Sequence, residues 1–258
     1  MNTEVLARRF AAIGARVKLA RVRHGTATMI DVGTDAKGEF FELVVGVRGV
    51  DVNVVDVDPI DRHLLLHVRD GGDRSKFLCG SDERHWFVAA VPESARGVTG
   101  VVSAKEALQP DAVREAVARI RPKDRFRRRN TAYVRQGEWF FLPTWTVEVV
   151  ESEILRNEPI TRGRGTPHVL ELAFRRGGET VYVNAQHPTG ITEAKFLRLS
   201  NSEIRNGRWQ AMVRDPELYA KGAVRHPDHA TIDLHGWHRV LMNTEQGARA
   251  MRHVAFLD

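Results

Sequence analysis

Hydrophobic residues recur at two spacings along this chain, and the changes of spacing mark its elements. Over residues 3–13, Leu6, Phe10 and Ile13 share one helical stripe behind Thr3, a residue suited to an N-cap. Gly14 breaks that pattern. Arg16-Val17-Lys18-Leu19 then alternates with period two, which predicts a strand with a basic outer face. Phe40 to Val45 is apolar enough for a buried strand. Asp51-Val52-Asn53-Val54 alternates, and Val55-Asp56-Val57-Asp58 alternates one step out of phase before Pro59. His63 to Val68, the turn Asp70-Gly71-Gly72-Asp73 and Phe77-Leu78-Cys79 predict a hairpin. His85 to Val91 reads as a further strand stopped by Pro92. Ser103-Ala104-Lys105-Glu106 has capping-box spacing, and Pro110 suits the first turn of a helix whose Val113, Val117 and Ile120 share a face.

The same pattern continues after residue 130. Trp139 to Leu142, Trp145 to Val150, Val169 to Phe174 and Thr180 to Val183 all have strand character. Arg175-Arg176-Gly177-Gly178-Glu179 predicts a hairpin between the last two. Thr192 to Leu197 begins a short helix, and Pro216 to Tyr219 reads as a turn. Thr231 to Leu234 and His238 to Met242 predict a closing hairpin about His235-Gly236. The expected class is α+β, mainly antiparallel sheet with a few short helices, in two associated β-rich halves. The expected division is an N-terminal domain over 1–120, a basic linker over 121–130 and a C-terminal domain over 131–258.

Composition narrows the class. The 258 residues are 42% hydrophobic and 28% charged, ordinary for a folded chain that buries a core. No stretch approaches the roughly 20 apolar residues of a membrane span. No apolar leader follows Met1, and the single cysteine, Cys79, excludes an internal disulfide and any cysteine-pair zinc site. A cytoplasmic location is expected, with Cys79 a small buried hydrophobe. The net charge of +6, carried mostly by arginine, fits a polyanionic partner and equally fits compositional drift.

That charge is concentrated in the linker. Arg121, Lys123, Arg125, Arg127, Arg128 and Arg129 surround Phe126, a pattern that suits phosphates and an unpaired base. Arg162 and Arg164 sit in a second glycine-containing basic loop. For the linker run the alternative is a solvated linker or an edge-strand guard, and nucleic acid is favoured because the overall charge agrees with it. For the second loop a plain flexible hairpin tip is the commoner explanation. Alternating acids Asp51, Asp56, Asp58 and Asp61 more often mark a wet strand face than a two-metal nuclease. The phosphate-loop, Gly-x-Ser-x-Gly, His-Glu-x-x-His and dinucleotide patterns are absent.

The densest chemistry lies near the end, where His226, His229, His235 and His238 interleave with Asp228 and Asp233. Imidazole ligates metals and moves protons near neutral pH. With a turn at His235-Gly236, Asp233 and His238 become cross-strand neighbours. His229, Asp233, His238 and Arg239 are then the candidate catalytic groups for cleaving a phosphodiester. Such a strand would hold His229 too far from His238 for both to meet one ion. His226 and His229, three apart, are instead candidate ligands of a divalent metal together with His168 or His187. Ordinary turn and strand histidines explain the same residues. The leading expectation is a protein that binds RNA or single-stranded DNA. The rivals are an accessory subunit docking a protein partner or guide RNA, and a metal-dependent enzyme acting on a small molecule.

Overall fold

The computed structural model describes residues 3–21, 28–45, 50–162 and 165–248. Helix α1 (Thr3–Ala12) leads into β1 (Val17–Arg21), β2 (Met29–Asp35) and β3 (Gly38–Val45). These strands form a sheet in the order β1-β3-β2, with β1 parallel and β2 antiparallel to β3. An antiparallel meander follows, of β4 (Val50–Asp58), β5 (His63–Asp70), β6 (Asp73–Asp82) and β7 (His85–Val91). Two short helices, α2 (Val101–Ala107) and α3 (Asp111–Val117), close the first half.

The out-of-phase alternation in β4 is a β-bulge. Val54 pairs with Leu66 and Asp56 with Leu65, so Val55 is the extra residue and stands exposed. The unbroken run Leu64-Leu65-Leu66 also has a packing cause. Leu64 and Leu66 enter one core with Phe10, Phe41 and Phe77, while Leu65 enters another beneath α2 with Leu78 and Ala104. The meander is therefore covered on both faces. Cys79 is buried in the first core, and burial pushes its thiol pKa up.

The second half is organised by one six-stranded antiparallel sheet. Its strands are β8 (Val134–Gln136), β9 (Trp139–Pro143), β10 (Leu155–Ile160), β11 (His168–Arg176) and, later, β15 and β16. Between β11 and β15 the chain makes a separate small unit from β12 (Glu179–Val183), β13 (Ile191–Thr192), α4 (Glu193–Phe196), α5 (Asn201–Asn206) and β14 (Gln210–Arg214), whose strands pair in the order β13-β12-β14. β15 (Glu217–His226) and β16 (His229–Met242) then complete the large sheet, in the order β10-β11-β15-β16-β9-β8. Phe141, Leu170, Val224, Leu234 and Val240 form its buried face. Val113 and Val117 of α3 pack on Tyr133 and Phe140, which joins the first half to the back of β9. The class is α+β, mostly antiparallel with short helices, and no helix among the described residues is long and apolar enough to cross a membrane.

Five local expectations are corrected. Helix α2 starts two residues before Ser103, and Ser103 Oγ instead accepts the Gly100 and Thr99 N–H groups from inside the first turn. Residues 145–150 form no strand, and Trp145 is 87% exposed. β11 and β12 do not pair with each other, because each finds longer-range partners. Residues 217–219 open β15 rather than form a turn. β16 is one continuous strand, so the predicted closing hairpin does not exist. One β15 residue, Lys221, there faces three of β16, a bulge in which Gly236 takes φ +88°.

Phe41 is fully buried, its ring 5.0 Å from Phe10 and 5.4 Å from Trp86. Phe41→Ala should cost about 3–5 kcal/mol of stability, read by urea unfolding.

Candidate metal centre

Strand register brings three histidines together. Val169 pairs with Arg225 and Leu170 with Val224, so β11 and β15 run side by side at this end of the sheet. Side chains alternate along a strand, so His168 continues the face of Leu170 and His226 that of Val224, both core residues. Pro227 and Asp228 reverse the chain, and His229 pairs with His226 across that turn. The buried stripe of the sheet thus ends in imidazoles on three adjacent strands. Ring centroids are 4.2 Å apart for His168 and His226, 5.5 Å for His168 and His229, and 4.8 Å for His226 and His229. One nitrogen from each ring lies within 4.8 Å of the other two. Tetrahedral ligands at zinc–nitrogen distance would sit about 3.3 Å apart. The His168 ring lies stacked on the other two, at interplanar angles of 26° and 22°, so ligation requires the rings to turn toward a common point.

Burial disfavours the charged form of two of the rings. His168 is 2% exposed, and burial, then its neighbours His226 and His229, push its pKa down to about 3. Burial also lowers that of His229. His226 Nε2–H donates to the Thr166 carbonyl (3.2 Å), and its Nδ1 accepts the Asp228 N–H (3.2 Å). His229 Nδ1 lies 3.7 Å from Glu83 Oε2, which favours the proton on Nδ1 and the lone pair on Nε2. Metal ligation requires an unprotonated nitrogen with a free lone pair, which His226 would present at Nδ1 on releasing the Asp228 N–H.

The turn between β8 and β9 covers the cluster. Gln136 pairs with Trp139 across Gly137 and Glu138, and Gly137 has φ +55°. The Gln136 amide donates to the carbonyls of Ala230 (2.7 Å) and Val224 (3.3 Å), which straps the turn to the histidine hairpin. A Cβ on Gly137 would stand 3.1 Å from His229 Nε2 and 3.2 Å from His168 Nε2. Glycine therefore leaves open the space at which both lone-pair nitrogens are close. Seven buried side-chain polar atoms among the described residues have no hydrogen-bond partner. Five are here: Gln136 Oε1, Trp139 Nε1, both nitrogens of His168 and His229 Nδ1. Buried polar groups are almost always paired, so this concentration points to a guest that supplies partners.

A cleft of about 610 Å³ reaches the cluster. Its lining takes Asp82, His85 and Trp86 from the first half and Gly137, Glu138 and His229 from the second. His63 also lines it, with Nδ1 directed at the Asp61 carbonyl.

The other predicted groups are placed differently. Asp233 and His238 are not cross-strand neighbours: both lie on β16, opposite Ala223 and Ala220. His238 is buried with Nδ1 on the Gly236 carbonyl, and Arg239 pairs with Glu217. His229 and His238 lie roughly 25–30 Å apart along the strand. His187 stacks on Trp209 in the small unit, away from the cluster. Within the basic run, Arg121 and Arg127 pair with Asp124, and Arg128 with Asp82 and Glu83. Arg125 donates to the Ile120 and Ala118 carbonyls, and Phe126 lies near the Lys105 ammonium. Lys123 and Arg129 make no ion pair among the described residues, Arg162 is bound to buried Glu245, and Arg164 lies outside the described residues. Gln136, Gly137 and Glu83 are the site residues that sequence reasoning missed. Gly137-Glu138 between apolar segments signals a turn, but nothing local says what the turn covers.

Burial, then Lys105, pushes the His63 pKa down to about 4 from an ordinary 6.5. Between those values the unfolded chain binds a proton that the folded chain refuses, so stability falls as pH drops through that window. His63→Gln should flatten the dependence of the thermal midpoint on pH between about 7 and about 4.5. No family model, curated protein or solved structure matches this chain.

Proposed function

We propose that the protein is a metal-dependent enzyme acting on a small molecule held in the cleft, with His168, His226 and His229 as ligands of a zinc-class divalent ion. The observation that carries this reading is the gathering of three near-buried imidazoles from adjacent strands, with a nitrogen of each within 4.8 Å of the other two. Imidazole suits zinc, cobalt, nickel and copper. Three protein ligands with a further coordination position is the arrangement of catalytic rather than structural zinc. Bound there, the ion would polarise a water or a substrate oxygen.

The chain's own residues do the rest. Thr166 and Asp228 hold the His226 ring, and Gln136 fixes the covering turn. Gly137 keeps a methyl group out of the space beside both Nε2 atoms. A volume of about 610 Å³ is in the range of small-molecule sites. A role on RNA or single-stranded DNA draws less support from the geometry, because most cations of the basic run are already engaged within the chain.

Purified protein should bind one equivalent of zinc or cobalt. Metal at about 100 times its Kd should add about 2.7 kcal/mol of stability, reversed by chelator. His168→Ala and His229→Ala should abolish that gain. Gly137→Ala should weaken binding, since its methyl meets both Nε2 atoms. Hydrolysis of a panel of small esters, amides and phosphoesters, lost on chelation, would establish the enzyme. Protein that takes up none of zinc, cobalt, nickel and copper would sink the proposal.

A further inference from the structure

The three candidate ligands all belong to the second half of the chain, yet the carboxylate nearest to them comes from the first. Glu83 begins the two-residue turn between β6 and β7, where Asp82 pairs with His85. Its Oε2 accepts the Ala230 N–H at 2.9 Å and lies 3.7 Å from His229 Nδ1. Its Oε1 pairs with the Arg128 guanidinium. The side chain is largely buried by these partners.

The backbone at this position is unusual. Glu83 has φ +50°, in the region that glycine and asparagine enter most easily. A turn that needed only to reverse the chain would be better served by either of them. Glutamate adds a carboxylate that reaches into the other half and meets the imidazole hairpin.

We propose that Glu83 is the positioning carboxylate of the histidine centre, orienting His229 through Nδ1 so that Nε2 carries the lone pair toward Gly137. This rests on the metal-centre reading above. A carboxylate behind a ligating histidine fixes its tautomer and raises its basicity, and losing it typically costs 10–100-fold in metal affinity. The 3.7 Å separation exceeds a hydrogen bond, and a small rotation of the His229 ring closes it. The centre is then shared: ligands from one half, orientation from the other. Arg128, bound to both Asp82 and Glu83, holds the carboxylate-bearing turn against the second half.

A merely structural Glu83 would bolt the halves together without affecting the metal, and the test separates the two roles. Cobalt(II) is titrated into the full chain while its visible absorption is followed, for wild type, Glu83→Gln and Glu83→Gly. Glutamine keeps an acceptor for the Ala230 N–H but no charge, and glycine relieves the positive φ. Both variants should bind cobalt 10–100-fold more weakly. The glutamine variant should also show an altered cobalt spectrum, while its metal-free thermal midpoint stays close to wild type. Affinities within twofold of wild type, with superimposable spectra, would overturn the role of Glu83 and leave the centre standing. A lowered metal-free midpoint with unchanged affinity would also overturn it, in favour of the bolt. Wild-type protein that binds no cobalt would overturn the centre itself.

Discussion

Between His226 and His229 the chain reverses in two residues, Pro227 and Asp228, and that reversal sets everything around it. The turn places two imidazoles opposite each other at a sheet end. The pairing of β15 with β11 adds a third, His168, from a strand start more than fifty positions away. His168 and His226 continue rows of core residues, and the turn sets His229 beside them, so the site is the end of the hydrophobic stripe rather than an addition to the surface. This explains its burial, since the stripe that excludes water from Leu170 and Val224 also shields the rings. Moving the register of β15 by one residue would turn His226 to the opposite face and leave no cluster.

How much of this was legible in the chain follows from the range of the interactions. Local signals were readable. The phase slip in β4 reports the bulge at Val55, and the Asp70-Gly71-Gly72-Asp73 turn reports the β5–β6 hairpin. Pairing over longer range was not. Period-two alternation marks a strand without naming its neighbour, so it predicts β11 joined to β12 where each pairs elsewhere. A glycine with positive φ serves a hairpin turn and a bulge equally well, and at Gly236 the bulge prevails because β16 stays paired on both sides.

The site divides the same way. His226 and His229 stood out because proline and aspartate force a turn between them, and His168 could be named only as one of two partners. Gly137 and Glu83 carry no local mark of their role, because it depends on a turn and a hairpin tip that fold onto the cluster from elsewhere. The basic run gave its charge but not its partners: Asp82, Glu83 and Asp124 pair with Arg121, Arg127 and Arg128, of which Arg121 and Arg127 are largely exposed. Charge density in a sequence measures the number of cations, and only the fold shows how many face outward.

Magnitudes argue for a guest at the centre. An unmet buried polar group costs about 1–3 kcal/mol. Five such atoms gather in this one place. Protonating the rings gives no relief, because burial and neighbouring histidines already hold His168 neutral. A hydrophobic guest would leave the atoms of His168, Gln136 and Trp139 unmet. A cation bound by the imidazole lone pairs would answer a nitrogen of His168, while Glu83 answers Nδ1 of His229. On the proposed reading, the absence of a side chain at Gly137 and the presence of a carboxylate at Glu83 are two requirements of one centre: room for the ion, and an imidazole held to face it.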